Sequence, residues 1–443
     1  MKKGKKTQAP QTSEDFLEAG IEEEDGGDRW ISSGDVAKGV RFYQRAYRLY
    51  RRCIELGADD VASKQDAIYN ICRMEYVVYN KVVKTGVLEE ISGQLEDDSE
   101  QDGSVIVRDI RNIGKHYEEA IEMLGGIEKC QIDLLYNFGQ VTVETGEELE
   151  DPAYVEQGVK IFEMVMNRQA DQIKEMAGYT VENEEESSNY GPRALSETMV
   201  TYLQGLYLLV EDESQSVDRL HAEQDKINQV VQEFHNLQSE YDLDDLRLKE
   251  DMQLIETQLR GLEHIKKNDL DGLIAFVREI DSDPEASRAL HMIEIDLFLD
   301  YIAQNDPEDQ LKWKAYSLAL TAANNGLKKE NSRSDPINQI KLYIIKGDLE
   351  WLRLNLKPFP SAVHNAKTLE SNAKAMYSSA INHSQNCLNV NWDIQNLGRE
   401  ASVKLNLLNN SYSPLPKDKP ILDHMISMNL ISPNQINSND NSP

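Results

Sequence analysis

Positive charge is scarce in this sequence: 47 lysines and arginines stand against 78 aspartates and glutamates, a formal net charge of -31 over 443 residues. Affinity for duplexes comes largely from cations that neutralise phosphates, so direct nucleic-acid binding is not expected and a basic protein partner is. Long apolar runs are missing as well. No stretch is apolar for long enough to span a bilayer, and the opening Met1-Lys2-Lys3-Gly4-Lys5-Lys6 leads into polar residues rather than the apolar core of a secretory signal. A cytoplasmic or nuclear protein with no membrane partner is therefore expected. Cysteine is sparse: Cys53, Cys72, Cys130 and Cys387 lie far apart without C-x-x-C spacing. That pattern suggests neither a zinc knuckle nor a redox pair nor a disulfide framework, and leaves buried, reduced thiols as the expectation.

Motifs that carry chemistry are missing too. Nucleophilic hydrolysis needs a Ser, Cys or Thr activated by a base on a sharp turn, and no G-x-S-x-G occurs. The eight histidines include no H-E-x-x-H, and His116, His221, His235, His264, His291 and His364 fall singly within helical patterns. Neither G-x-x-x-x-G-K-[ST] nor G-x-G-x-x-G is present to cradle a phosphate. Asp269-Leu270-Asp271-Gly272 looks like a piece of a calcium loop, but aligning its glycine puts Lys267 and Arg278 at ligand positions. Asp269 is better read as a cap at a helix start. Carboxylate pairs are too common here to single out any two for acid/base work. No catalytic residue, cofactor or metal is assigned, and a binding protein is expected rather than an enzyme.

What the chain does contain is helical periodicity, from about Asp28 to about Gln385, with almost no polar/apolar alternation of the kind strands require. The acidic stretches Glu22 to Asp28, Glu96 to Asp102 and Glu182 to Ser188 read as solvated loops. Beyond Leu408 the composition turns to Asn, Ser and Pro, predicting disorder apart from a short helix near Ile421 to Met428. Internal similarity is the most informative feature. Ile68-Tyr69-Asn70-Ile71-Cys72 matches Leu135-Tyr136-Asn137-Phe138-Gly139 position for position. Gly39, Tyr43 and Ala46 parallel Gly158, Phe162 and Val165 at identical offsets. The tyrosines at helical spacing, Tyr43, Tyr47 and Tyr50 with Tyr69, Tyr76 and Tyr79, read as packing between helices.

These residues resemble the tetratricopeptide repeat, an antiparallel helix pair of about 34 residues with a small residue in the first helix and a small, aromatic, small series in the second. Gly139 fits the first-helix glycine and Gly146-Glu147 the turn. Gly34-Asp35 fits the turn of an earlier unit, with Gly27 and Trp30 on its first helix. Tyr117 and Ala120 supply the second helix of the unit between. Cys72 and Glu23 depart from the pattern, standing where the family prefers glycine and a large aromatic. The resemblance implies an all-α, right-handed superhelical solenoid of helix pairs, with units at Glu22 to Gly57, Gln65 to Gly125 and Ile132 to Ala177. From Arg193 the signature fades, but eight helical segments follow: Leu195 to Val210, Val217 to Leu237, Leu246 to Ile265, Leu270 to Ile280, Ala286 to Ile302, Gln310 to Leu327, Ile337 to Leu354 and Ala362 to Ile381. Gly347-Asp348 reads as one more turn. The domains expected are a flexible basic and polar start (1–21), repeats (22–179), an acidic loop (180–191), degenerate repeats or a helical bundle (192–408) and a disordered tail (409–443).

Family members that hold the C-terminal carboxylate of the Hsp70 and Hsp90 chaperones do so with a clamp of Lys, Asn and Arg. The aligned positions here are Glu24, Asp28, Asn70, Asp133 and Asn137, so acids replace the cations and such a peptide would be repelled. The resemblance instead runs to acidic tetratricopeptide assembly chaperones, of the fungal type among others, that escort ribosomal proteins or histones. It implies a scaffold or dedicated chaperone whose concave surface holds a basic client, with Asn70, Glu75, Asn137 and Glu144 on first helices as the partner-binding residues. The alternative reading is a structural subunit of a larger complex.

Overall fold

The computed structural model describes residues 10–57, 60–99, 107–176, 191–211, 217–281, 286–329, 335–387, 392–413 and 415–432. Among the described residues there are seventeen α-helices and no strand. They belong to two compact units, Met1–Leu209 with Phe234–Leu243, and Val210–Glu233 with Asp244–Pro443. No helix among the described residues is long and apolar enough to cross a membrane.

The first unit opens with α1 (Ser13–Ser32), earlier than the composition suggested. Thr12 and Asp15 form a capping box in which the Thr12 hydroxyl accepts from the Asp15 amide at 3.1 Å and the Asp15 carboxylate accepts from the Thr12 amide at 3.0 Å. The acidic run Glu22 to Asp28 is therefore helical, not a solvated loop. Its charges obscure a buried face of Gly20, Glu24, Gly27 and Ile31 that α2 (Val36–Leu56) covers. The turn between the two falls at Gly34 (φ 91°), a left-handed conformation suited to glycine, and Asp35 caps α2 by accepting from the Lys38 amide at 3.1 Å. Then come α3 (Val61–Val78), which ends in a π-helical turn, α4 (Leu88–Ser99), α5 (Ile110–Met123), α6 (Ile132–Leu149), α7 (Pro152–Met176) and α8 (Pro192–Glu211). Glu96 to Ser99 close α4; the rest of that acidic stretch and all of Glu182 to Ser188 lie outside the described residues.

One packing rule recurs in these pairs. A Cβ at Gly27 would meet the Tyr43 ring at 2.5 Å, and one at Gly39 would meet the Gly27 carbonyl at 3.0 Å. In α6 and α7 a Cβ at Gly139 would meet Phe162 at 2.8 Å, and one at Gly158 the Gly139 carbonyl at 3.0 Å. The backbones approach where side chains vanish, and the aromatic four residues on fills the adjoining gap. The pair α3 and α5 substitutes Cys72 and Tyr117, both buried in one cluster, and Tyr117 stacks on Phe138 with ring centroids 5.9 Å apart. Gly146 does not form the turn predicted for it. It packs against Val155 inside α6, and the chain reverses after the left-handed Glu150 (φ 52°).

The second unit takes the first part of α9 (Val217–Glu240), then α10 (Leu246–Lys266), α11 (Leu270–Asp281), α12 (Arg288–Asn305), α13 (Asp309–Lys328), α14 (Pro336–Asn355), α15 (Pro360–Gln385), α16 (Trp392–Leu408) and α17 (Lys419–Ser427). Asp269 does cap a helix start, accepting from the Gly272 amide at 2.8 Å. Gly347-Asp348 is not a turn. Gly347 lies in mid-helix beneath the Tyr377 ring, whose hydroxyl donates to Asp348 Oδ1 at 2.7 Å. This repeats the first pair, where the Tyr43 hydroxyl donates to Asp28 Oδ1 at 2.5 Å.

The tail holds the short helix expected near Ile421 to Met428, as α17, but it is packed down on both sides of that helix rather than disordered. Leu422, Met425, Leu430 and Ile431 are buried, Asp418 accepts from Arg399 at 3.0 Å and from the Tyr412 hydroxyl at 3.1 Å, and Asn355 donates to the Leu430 carbonyl at 2.9 Å. A few apolar anchors in an Asn/Ser-rich background suffice to hold the chain down as far as residue 432, and 433–443 lie outside the described residues.

Candidate partner-binding groove

In the first unit α3, α6 and α8 each turn a polar stripe at helical spacing toward its neighbour: Tyr69, Arg73 and Tyr76; Asp133, Tyr136, Asn137 and Gln140; Glu197 and Thr201. Contacts between helices tie the stripes together. Arg73 donates to Glu24 of α1 at 2.5 Å, the Tyr76 hydroxyl to Glu144 at 2.5 Å, and Asn137 to the Tyr69 hydroxyl at 3.4 Å. The Tyr136 and Thr201 hydroxyls lie 3.0 Å apart.

A cavity of about 230 Å³ opens in this face, lined by Tyr69, Asp133, Tyr136, Asn137, Gln169 and Glu197, with Thr198 at its edge. The Tyr136 ring is propped on Phe162 at 5.8 Å between centroids. Burial, reinforced by the Asp133 charge, raises the Tyr69 phenol, and burial raises that of Tyr136, so both remain neutral hydroxyls. Gln169 reaches in from the second helix of its pair, α7. It is only 3% exposed, and its Oε1 has no hydrogen-bond partner among the described residues.

Of the residues singled out by sequence, Asn137 and Asp133 line this cavity, and Asn70 sits half-buried on α3 beside Tyr69 without lining it. Glu75 does not face a groove. It is 0% exposed and bound to Arg108 at 3.0 Å and His116 at 2.9 Å, so it ties α3 to α5. Glu144 is similarly occupied, accepting from the Tyr76 hydroxyl and from Lys84 at 2.5 Å. Glu24 is buried under the Tyr50 hydroxyl at 2.6 Å, and burial lifts its carboxyl above the usual range against the opposing charge of Arg73. Asp28 is taken by Tyr43. Sequence reasoning missed Tyr69, Tyr136, Gln169, Glu197 and Thr198, although the repeated Tyr-Asn pairs at 69–70 and 136–137 already marked the place.

The second unit has cavities of its own. One of about 470 Å³ lies between α9 and α10 and is lined by His221, Gln224, Asn228, Glu256, Arg260 and Glu263, a mixture of signs. Another of about 290 Å³ is largely apolar, with Ile344, Leu349, Leu397 and Met428, and borders the buried pair Lys404 and Asp348 at 2.8 Å. Burial alone would depress the Lys404 ammonium, but Asp348 and Glu400 outweigh it and hold it raised. Among the described residues no three His, Cys, Asp or Glu side chains gather as metal ligands. Cys53, Cys72 and Cys130 are buried and Cys387 half-buried, all as free thiols.

These features define an all-helical protein built of packed helix pairs, an architecture consistent with an interaction scaffold. No protein-family model matches the chain, and no curated protein sequence does. Among solved structures, a circular tandem repeat protein with novel repeat topology and enhanced subunit contact surfaces is similar over 94% of this chain and 99% of its own. The identity is 11% and the TM-score 0.25, too loose to add to what the packing shows.

Proposed function

We propose that this chain is a tetratricopeptide-type scaffold or dedicated chaperone that holds a basic segment of a client protein against the face built by α3, α6 and α8. The observation that carries the reading is the cavity itself, where carboxylates from two helices, Asp133 and Glu197, share a concave site with two tyrosines. An overall charge of -31 adds long-range attraction for a basic partner and speeds encounter. The Gly27/Tyr43 and Gly139/Phe162 contacts support the tetratricopeptide reading, because they set the close pair crossings that align first helices on one face.

The test is titration of a fluorescein-labelled nonalysine peptide, followed by anisotropy at 50 and 300 mM salt. Binding should weaken at least tenfold across that range, and the double variant Asp133→Lys, Glu197→Lys should weaken it as much again at low salt. Affinity indifferent to salt and to both substitutions would overturn the proposal.

A further inference from the structure

We propose that the cavity between Tyr69, Tyr136 and Gln169 is a socket for one arginine side chain of the partner, an inference that rests on the basic-client reading above. The argument begins with Gln169. A buried amide oxygen is normally hydrogen-bonded, because leaving it dry costs free energy with no return. Gln169 is 3% exposed, its Oε1 is unpartnered, and it lines a cavity open to the face described above. It is an acceptor in position for a donor that none of the described residues supplies.

The rest of the lining narrows the choice of donor. Acceptor oxygens converge from four helices: Tyr69 on α3, Asp133 on α6, Gln169 on α7 and Glu197 on α8. A guanidinium carries five N–H donors and no acceptor, so one group can serve several of these oxygens, whereas an ammonium offers three donors around a point. The tyrosine rings add faces on which a guanidinium stacks. The volume, about 230 Å³, falls below the roughly 300–1,000 Å³ of sites for drug-sized ligands and suits a single side chain. Arg73 and Arg193 of the protein itself approach residues of the lining and bear on the proposal. Arg73 is 6.0 Å from the Tyr69 ring but bound to Glu24. Arg193 touches Glu197 at 3.3 Å, an exposed pair one turn apart of the kind that exchanges readily for a better-placed donor.

The experiment uses the full chain and two nine-residue peptides of equal charge, nonalysine and the same peptide with arginine at its centre. The socket predicts that the single arginine tightens binding about tenfold. Gln169→Met, close to the same size, should abolish that preference, so that the two peptides bind the variant equally. Tyr136→Leu should reduce the preference independently, and thermal melting of each variant shows that the fold persists. Equal affinity for both peptides, or an arginine preference that survives both substitutions, overturns the socket and leaves the acidic groove standing. Failure to bind either peptide overturns the groove reading and the socket with it.

Discussion

At the scale of single residues, acidic side chains in this chain do two different jobs that look alike in the sequence. Glu75 was readable as a candidate for the inner surface because it is a charged residue on a first helix, yet it is sealed against Arg108 and His116. Glu75→Ala strands those partners, each still partly exposed, so the cost should fall toward the lower end of the ~3–5 kcal/mol typical of broken buried pairs. Chemical denaturation should show that loss, while affinity for a basic peptide stays unchanged. Glycines were easier to read. Gly139→Ala drives a methyl into the Phe162 ring and should cost about 1–3 kcal/mol, seen as a lower denaturation midpoint at constant slope. Gly139 and Gly27 were legible because the requirement is local in kind: only a missing side chain permits that approach. Gln169 was not, since nothing in a sequence tells that one glutamine on a second helix ends without a partner.

At the scale of helices, periodicity located the segments after Arg193 well: the eight predicted stretches fall one to a helix from α8 to α15, with Ala286 and Ser287 alone ahead of theirs. What periodicity lost was the start. The buried face of α1 is written in Gly, Glu and Ile among acids and gives no strong apolar signal, whereas the short helix expected near Ile421 to Met428 is there as α17. Gly347-Asp348 was misread for a related reason. A Gly-Asp pair signals a turn locally, and its true role depends on Tyr377, thirty residues away. The tyrosines that cross between paired helices also set a limit in alkali. Burial, followed by neighbouring carboxylates, raises the phenols of Tyr43, Tyr50 and Tyr377, so the folded state keeps protons that the unfolded chain releases near pH 10. Their contribution to stability is complete below that pH and is lost as pH climbs toward the raised folded values. Helicity followed by circular dichroism should begin to fall above about pH 10, with tyrosinate absorbance rising in step and not ahead of it.

At the scale of the whole chain, the charge of -31 acts on folding and on binding with opposite signs. Self-repulsion destabilises a compact acidic protein, and salt screens it. Raising sodium chloride from 50 to 500 mM should therefore raise the melting temperature while lowering affinity for any basic peptide. A fall in both would show that buried ion pairs, not surface repulsion, dominate the response to salt.

Asp28 and Asp348 occupy equivalent places beneath Tyr43 and Tyr377, but they have met different fates. The first lies 3.8 Å from Lys81 in solvent, whereas the second is 4% exposed and neutralised by Lys404, which arrives from α16. The helix pair α14 and α15 thus carries an acid whose counter-ion comes from a third helix. Lys404→Met, which leaves α16 over Asp348 without its counter-ion, should lower the denaturation midpoint although every apolar contact between α14 and α15 remains. In that corner of the molecule one helix supplies both the roof over an acid and the cation that neutralises it.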